Sequence, residues 1–339
     1  MNNRVKVLML LAGLLLGSCG TTETPDALSY TPLQRAAHQQ DAAKVSQLIT
    51  DGADVNAASE APEFSPLCLA ILSGDGEMET VQALLSAGAR VTENELRQAV
   101  DSCYPQYVQA VLNAGGRIPH ESAEWKGSIF SEFGGIGRPN ENGRDCVACA
   151  RILIEHGARL DEGSVSPLHY AVSGDKPELA RYYLSIGMNV NAVTPNGDTP
   201  LAYSIRSASM VQLLVEAGAN VNAQNKDGNT SIMYADIPLE AADALLQAGL
   251  DPNLRNNKGE TALMYHLNNP GPTGGFYSDS SGAITGTWSS SAVNAELIQS
   301  LIRSGVDVNL PDSSGTTPLQ AAQGNAEVCE MLRRAGAER

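Results

Sequence analysis

A phrase of 31 to 33 residues recurs along this chain of 339 residues, and it constrains the fold more than any other feature. Its clearest copy covers residues 197–223 and reads GDTPLAYSIRSASMVQLLVEAGANVNA. Equivalent openings follow one another at steps of 33, 31 and 31 residues, at Ser166, Thr199, Thr230 and Thr261. Self-similarity at such a period predicts stacked units that form a solenoid rather than one globular core.

Each copy of the phrase predicts two helices joined by a turn. Pro200 suits the first position of a helix, because its fixed backbone angle matches and its missing donor would lack a partner there anyway. Between Met210 and Ala217, apolar residues recur at the spacing of one helix face, which must be buried. Gly218 then ends the helix, and an Asn-Gly pair at 196–197 predicts a tight turn between units. The sequence therefore predicts an all-α chain.

The phrase resembles the ankyrin repeat, most closely in SPLHYA at 166–171, TPLQAA at 317–322 and GADVNA at 52–57. The resemblance covers nearly everything after residue 29 and implies an ankyrin-repeat solenoid. That solenoid would have about eight or nine helix-turn-helix units with short β-turn fingers. The units begin near Thr31, Ser65, Asn94, Ile118, Ser166, Thr199, Thr230, Thr261 and Thr317. The resemblance also implies that His169 hydrogen-bonds within and between the turns of neighbouring units.

The first 18 residues do not follow the repeat. Arg4 and Lys6 precede an apolar run at 7–16, which is too short to span a bilayer and indicates a signal peptide. Residues 16–19, Leu-Gly-Ser-Cys, resemble a bacterial lipobox, which implies cleavage before Cys19 and acylation of that residue. Gly20 in place of Asp favours the outer membrane in such proteins. We therefore expect a lipid-anchored envelope protein that faces the periplasm.

Three segments follow from this reading. Residues 1–18 form the lipoprotein signal peptide, residues 19–29 form the lipidated Cys and a flexible tether, and residues 30–339 form the repeat domain. The chain has 22 basic and 38 acidic residues, a formal net charge of −16. This charge disfavours nucleic acid and anionic lipid surfaces as partners. It favours a basic partner, or serves only to keep a long solenoid soluble.

The residues of the chain do not predict an enzyme. The sequence contains no His-Glu-x-x-His, no Gly-x-Ser-x-Gly and no nucleotide-binding loop, and its five histidines lack metal-ligand spacing. We therefore predict no catalytic residues, no metal and no cofactor.

Five cysteines remain after Cys19, and an odd number in an oxidising compartment leaves at least one thiol unpaired or paired between molecules. Cys146 and Cys149 form a C-x-x-C at a predicted helix start, with Cys103 one unit earlier. A structural disulfide is expected among these three, either between Cys146 and Cys149 or from Cys103. A redox-linked role for Cys146 and Cys149 is the weaker alternative.

Two insertions interrupt the repeat, at about 119–144 and 270–293. Aromatic residues make up only 5% of the chain, yet these insertions hold both tryptophans and three of the four phenylalanines. Large rings on loops dominate binding hot spots, although they can also fold back as lids over local apolar surface. The insertions thus contribute six predicted partner-binding residues: Trp125, Phe130, Phe133, Phe276, Tyr277 and Trp288.

The resemblance also predicts which regular positions face a partner, namely the finger tips and the exposed end of each first helix on the concave side. These positions are Pro195, Asn196, Asp198, Arg206, Lys226, Asp227, Asn257 and Lys258. We therefore predict a non-enzymatic protein-binding scaffold tethered to the bacterial envelope, a monomer by default. The alternative is an immunity protein that inhibits a secreted antibacterial toxin enzyme.

Overall fold

The described residues fold into nine stacked units, most of them built from the two predicted helices. The computed structural model describes residues 30–57, 64–119, 128–134, 144–161, 164–204, 207–234, 237–269, 277–278, 284–285 and 294–338. For residues 277, 278, 284 and 285 it describes only the backbone. Eight units are pairs of helical segments, and the seventh has a turn in place of its first helix. The predicted all-α ankyrin-type solenoid is confirmed.

The first segments of the units are α1 (Pro32–His38), α3 (Pro66–Ser73), α5 (Glu93–Ser102), a 3-10 helix (Ile129–Gly134), α8 (Pro167–Ser173), α10 (Pro200–Tyr203), α13 (Ala262–Asn268) and α15 (Pro318–Ala321). The second segments are α2 (Ala42–Thr50), α4 (Glu79–Ser86), α6 (Pro105–Asn113), α7 (Cys146–Glu155), α9 (Pro177–Ser185), α11 (Ala208–Glu216), α12 (Leu239–Gln247), α14 (Ala295–Arg303) and α16 (Ala326–Arg334). First segments pack on first segments and second segments on second segments, which gives two rows. One apolar core lies between the rows and is continuous from Leu33 to Leu332.

The number of residues before the second helix decides how long the first helix is. In the first and fifth units, 11 positions separate the N-cap (Thr31, Ser166) from the start of the second helix, and the first helix has seven residues. In the sixth unit only nine positions separate Thr199 from α11, and α10 has four residues. In the seventh unit, also nine positions long, residues 230–234 form only a turn. Two residues fewer leave too little chain for both a helix and its exit loop.

The fourth unit departs from the prediction. Its first segment is the 3-10 helix at Ile129–Gly134 rather than a helix starting near Ile118, so that predicted start is wrong. The 3-10 helix packs between α5 and α8, which is the place of a first helix in the stack. The first insertion is therefore partly a structural element of the frame. The sequence did not predict this element, because residues 128–134 read SIFSEFG and contain no Thr-Pro-Leu-like opening.

The second insertion follows α13. Tyr277–Ser278 (β1) and Ile284–Thr285 (β2) pair as antiparallel strands, with Tyr277 opposite Thr285. The remainder of the predicted insertion lies outside the described residues. The signal peptide, Cys19 and the tether also lie outside them. Within the described part of the chain, no helix is long and apolar enough to cross a membrane.

A repeated asparagine ties neighbouring units together. Asn222 donates from Nδ2 to the Gly249 carbonyl at 3.2 Å and accepts from the Asp251 amide at 2.8 Å, so it bridges units six and seven. Four other asparagines make the same two bonds to the next unit, namely Asn56, Asn191, Asn253 and Asn309. At the junctions that follow units two, three and four, this position holds Thr92, Pro119 and Asp161, respectively. Those three junctions lack the asparagine tie.

Candidate protein-binding surface

Four tyrosines form a row along the first segments of units five to eight. Tyr170, Tyr203, Tyr234 and Tyr265 occupy the same repeat position, and all four are half-buried. Apart from the last residues of α8 and α13, these tyrosines are the only side chains of α8, α10 and α13 that reach solvent. The sequence analysis missed this tyrosine row, although its spacing of 33, 31 and 31 residues was a sufficient signal.

Neighbouring groups hold these rings in place. The Tyr203 ring meets the His169 ring edge to face, with centroids 5.6 Å apart, and Tyr265 meets His266 in the same way at 5.5 Å. The Tyr234 hydroxyl donates to Asp198 Oδ1 at 3.0 Å. Burial, followed by the nearby Asp198 carboxylate, raises the pKa of both Tyr203 and Tyr234. The hydroxyls therefore remain protonated donors at neutral pH.

His169 has the structural role predicted for it. Its Nε2 donates to the Asp198 carbonyl at 3.1 Å, which requires Nδ1 to accept from the Ser166 hydroxyl at 2.8 Å. The bond to Asp198 crosses from unit five to unit six. Burial lowers the pKa of His169, so the neutral ring is the form that this network holds.

Asp198 is buried rather than available to a partner at a finger tip, which corrects its assignment. Only 7% of the residue is exposed. Its Oδ1 accepts from Asn225 Nδ2 at 2.8 Å and from the Tyr234 hydroxyl, and its Oδ2 accepts from Asn196 Nδ2 at 3.3 Å. The carboxylate therefore organises the turn and holds one ring of the tyrosine row.

A second buried carboxylate lies at the start of the segment that carries the last tyrosine of the row. Glu260 is 4% exposed and immediately precedes Thr261, the N-cap of α13. Its two oxygens accept from Asn256 Nδ2 at 2.9 Å and from Asn268 Nδ2 at 2.8 Å. Like Asp198, Glu260 is hydrogen-bonded to uncharged groups.

The other regular positions assigned to partner binding are exposed, where the structure describes them. Backbone hydrogen bonds join successive fingers. The amides of Lys226, Asn257 and Ser313 each donate to a carbonyl of the preceding finger at 2.9 to 3.0 Å. Arg206 lies outside the described residues. The exposed positions are Pro195, Asn196, Lys226, Asp227, Asn257 and Lys258.

Two aromatic residues of the first insertion are core residues, which corrects their assignment as partner contacts. Phe130 and Phe133 are fully buried. The Phe130 ring packs edge to face on Tyr183 with centroids 6.1 Å apart, and Lys176 Nζ donates to the Phe133 carbonyl at 2.7 Å. Both rings belong to the continuous apolar core. Trp125, Phe276, Trp288 and the side chain of Tyr277 lie outside the described residues.

The structure joins Cys103 to Cys146 in a disulfide that spans units three and four. Cys149 is a buried free thiol, and burial raises its pKa well above the usual value. The C-x-x-C residues are therefore not paired with each other, which argues against the redox-linked alternative. Cys103 ends α5 with a left-handed backbone, φ 55°. Within the described residues, no group of three or more His, Cys, Asp or Glu side chains could hold a metal ion.

Comparison with known proteins agrees with this architecture. Residues 173–256 match the family model described as Ankyrin repeats (3 copies). Protein phosphatase 1 regulatory subunit 27 of Homo sapiens and that of Mus musculus are each 38% identical to this chain over 57 residues. The match covers 16% of this chain and only 37% of either relative. The crystal structure of the human ASB11 ankyrin repeat domain superposes with a TM-score of 0.52 at 24% identity, over 66% of this chain and all of that one. The chain has an ankyrin-repeat fold.

Proposed function

We propose that this protein is a non-enzymatic scaffold that binds a protein partner through the tyrosine row and the exposed finger tips beside it. The observation that carries the proposal is the row itself. Four large rings at one repeat position are half-exposed, although nearly every other side chain of the segments that carry them is buried. Tyrosine provides rigid amphipathic contact area at low entropic cost, and asparagines such as Asn196 and Asn257 provide adaptable hydrogen bonds.

The comparisons support a protein partner in general terms. The matching family model is a repeat, and the curated relatives are named as regulatory subunits of a phosphatase. The matched stretch is short, so the identity of their partner is not carried over to this chain.

Site-specific photo-crosslinking tests the proposal. A benzoyl-phenylalanine at position 203 or 265 should crosslink to one dominant protein in cells that express the full chain. The matched control is position 182, a half-buried tyrosine of α9 in the row of second helices. Equal crosslinking from 182 and 203, or none from the tyrosine row, would refute the proposal.

We further propose that Cys19 anchors the scaffold to the bacterial envelope, on the outer membrane facing the periplasm. The support is the sequence of residues 1–20 alone. Cys19→Ser should abolish incorporation of labelled palmitate and release the protein from the membrane fraction. Continued membrane retention without label would contradict the anchor while leaving the binding surface unaffected.

Toxin immunity is a narrower form of the same function, in which the tyrosine row and fingers block the active site of a secreted enzyme. The envelope signal at residues 1–19 favours this role, since it would place the scaffold where such enzymes arrive. Cells that lack the protein should then be killed by one neighbouring gene product expressed in the periplasm. Survival with every neighbour would eliminate this role.

A further inference from the structure

We propose that the tyrosine row binds an extended basic segment of the partner, one with an arginine or lysine at every third residue. This inference rests on the proposed function and specifies the chemistry of the partner. Two independent features of the described residues support this inference. They are the spacing of the tyrosine row and the negative charge of two buried carboxylates.

The period comes from the stacking of the units. Packed helices lie about 8–10 Å apart, so successive tyrosines of one row recur at about that distance. Tyr203 contributes to the raised pKa of both Tyr170 and Tyr234, as expected for immediate neighbours. A polyproline II segment advances about 3.1 Å per residue with three residues per turn, or about 9 Å per turn. Every third side chain of such a segment would therefore meet successive rings.

The charge comes from Asp198 and Glu260. Both carboxylates are almost fully buried, and their hydrogen-bond donors are amides and a tyrosine hydroxyl, all uncharged. Among the ion pairs of the described residues, none includes either carboxylate. Neither carboxylate is therefore neutralised by an ion pair of the described residues, and each immediately precedes the N-cap of a segment that carries a tyrosine of the row, Tyr203 in α10 and Tyr265 in α13. The net charge of −16 acts in the same direction over longer distances.

The nearest basic positions of the fingers do not cancel this field. Lys226 and Lys258 lie at exposed finger tips, and the exposed Arg255 donates to the Gly259 and Pro311 carbonyls; water and salt screen all three strongly. Buried charges are screened less, so the charge of Asp198 dominates at Tyr234, whose hydroxyl donates to it. A guanidinium or ammonium group over a tyrosine face is attracted both by the ring and by a carboxylate buried behind it. Arginine suits the site best, because its planar group also stacks on aromatic faces.

Peptide binding to the full-length protein in detergent tests the inference by fluorescence polarisation. The probe is a labelled peptide of four Pro-Pro-Arg triplets. One control has the same composition with its arginines consecutive, and the other replaces each arginine by glutamate. We expect the periodic arginine peptide to bind at least about tenfold more tightly than either control at low salt.

Variants test whether the tyrosine rings and the buried carboxylates are responsible for peptide binding. Tyr203→Ala and Tyr265→Ala should each weaken binding of the periodic peptide about tenfold, whereas the control Tyr182→Ala should leave it unchanged. Asp198→Asn should reduce the preference for arginine over glutamate, with folding checked by circular dichroism. Glu260→Gln is a second charge-removing variant, in case Asp198→Asn fails to fold.

Equal binding of the three peptides, or an unchanged preference in both charge-removing variants, would overturn the inference. A partner that crosslinks from position 203 while no peptide binds would leave the scaffold function standing and reject only its basic ligand. Absence of both crosslinking and peptide binding would reject the two proposals together.

Discussion

Removal of the disulfide should destabilise the centre of the solenoid far more than its ends. The bond joins residues 43 positions apart, and the chain-entropy relation for a loop of that length predicts a loss of about 4 kcal/mol at 25 °C. The junction that it spans lacks the asparagine tie, since Pro119 occupies that position. A hydrogen bond of 2.7 Å from the Asp145 amide to the Cys103 carbonyl also crosses this junction. Reduction should therefore loosen units three and four.

Two double variants separate the disulfide from the backbone strain at residue 103. Cys103→Ala with Cys146→Ala loses the bond and keeps a side chain at φ 55°, where L-residues pay about 1–2 kcal/mol. Cys103→Gly with Cys146→Ala removes that strain but loosens the unfolded chain by about 0.5–1 kcal/mol. The glycine variant should thus be more stable by about 0.5–1 kcal/mol.

Hydrogen exchange is the appropriate assay, because a nine-unit solenoid need not unfold in one step. Opening free energies of amides in α5 and α7 should fall by several kcal/mol in both double variants and in the dithiol-reduced wild type. Those in α16 should change little. A loss below about 1 kcal/mol at α5 and α7 would refute the assigned role of the disulfide.

Three further changes probe the frame. Phe130→Ala should lower the opening free energy of amides in α8 and α9 by about 3–5 kcal/mol in hydrogen exchange, because the ring is fully buried against Tyr183, and a loss under about 1 kcal/mol would contradict its place in the core. Asn222→Ala should cost about 1–2 kcal/mol, read as faster amide exchange at residues 249–251, since two hydrogen bonds between units are lost. His169 has a pKa below its ordinary value of 6.5, so the unfolded chain binds the proton first and stability should fall as the pH drops below about 6.5. His169→Gln should lessen this loss of stability in thermal melts recorded at different pH values. The variant should remain folded at pH 7.5, because Gln34 makes the equivalent hydrogen bond to the Phe64 carbonyl at 2.6 Å in unit one. A pH profile identical to that of the wild type would show that another group causes the loss.

Most of the fold followed from signals that act within a few residues. Pro200 and Gly218 begin and end their helices as predicted, and Gly218 has the expected left-handed backbone at φ 87°. The fourth unit could not be predicted in this way, because its 3-10 helix carries no repeat phrase. Its place in the stack depends on how Phe130 and Phe133 pack between α5 and α8. That packing depends on the shape of the neighbouring units and not on the local sequence.

The candidate surface was predicted less well than the fold. The finger positions Lys226 and Asn257 are exposed, whereas Asp198, at an equally polar position, turned out to be buried. Polarity alone cannot separate these cases, since Asp198 is buried by bonds to Asn225 and Tyr234, residues of the next unit. The tyrosine row, in contrast, was readable from its period and was overlooked in favour of the insertions.

By itself the sequence determined the period and most of the helix starts and ends, because propensities, caps and left-handed glycines depend on a few adjacent residues. The shorter spacing of nine residues before the second helix, against 11 in units one and five, likewise determined that the first segments of units six and seven are short. Only the tertiary structure decided that Cys103 pairs with Cys146, that Phe130 is core, and that Asp198 lies buried behind the tyrosine row. Each of those outcomes depends on side chains that the stacking of units brings together from about 30 or more positions apart in the chain.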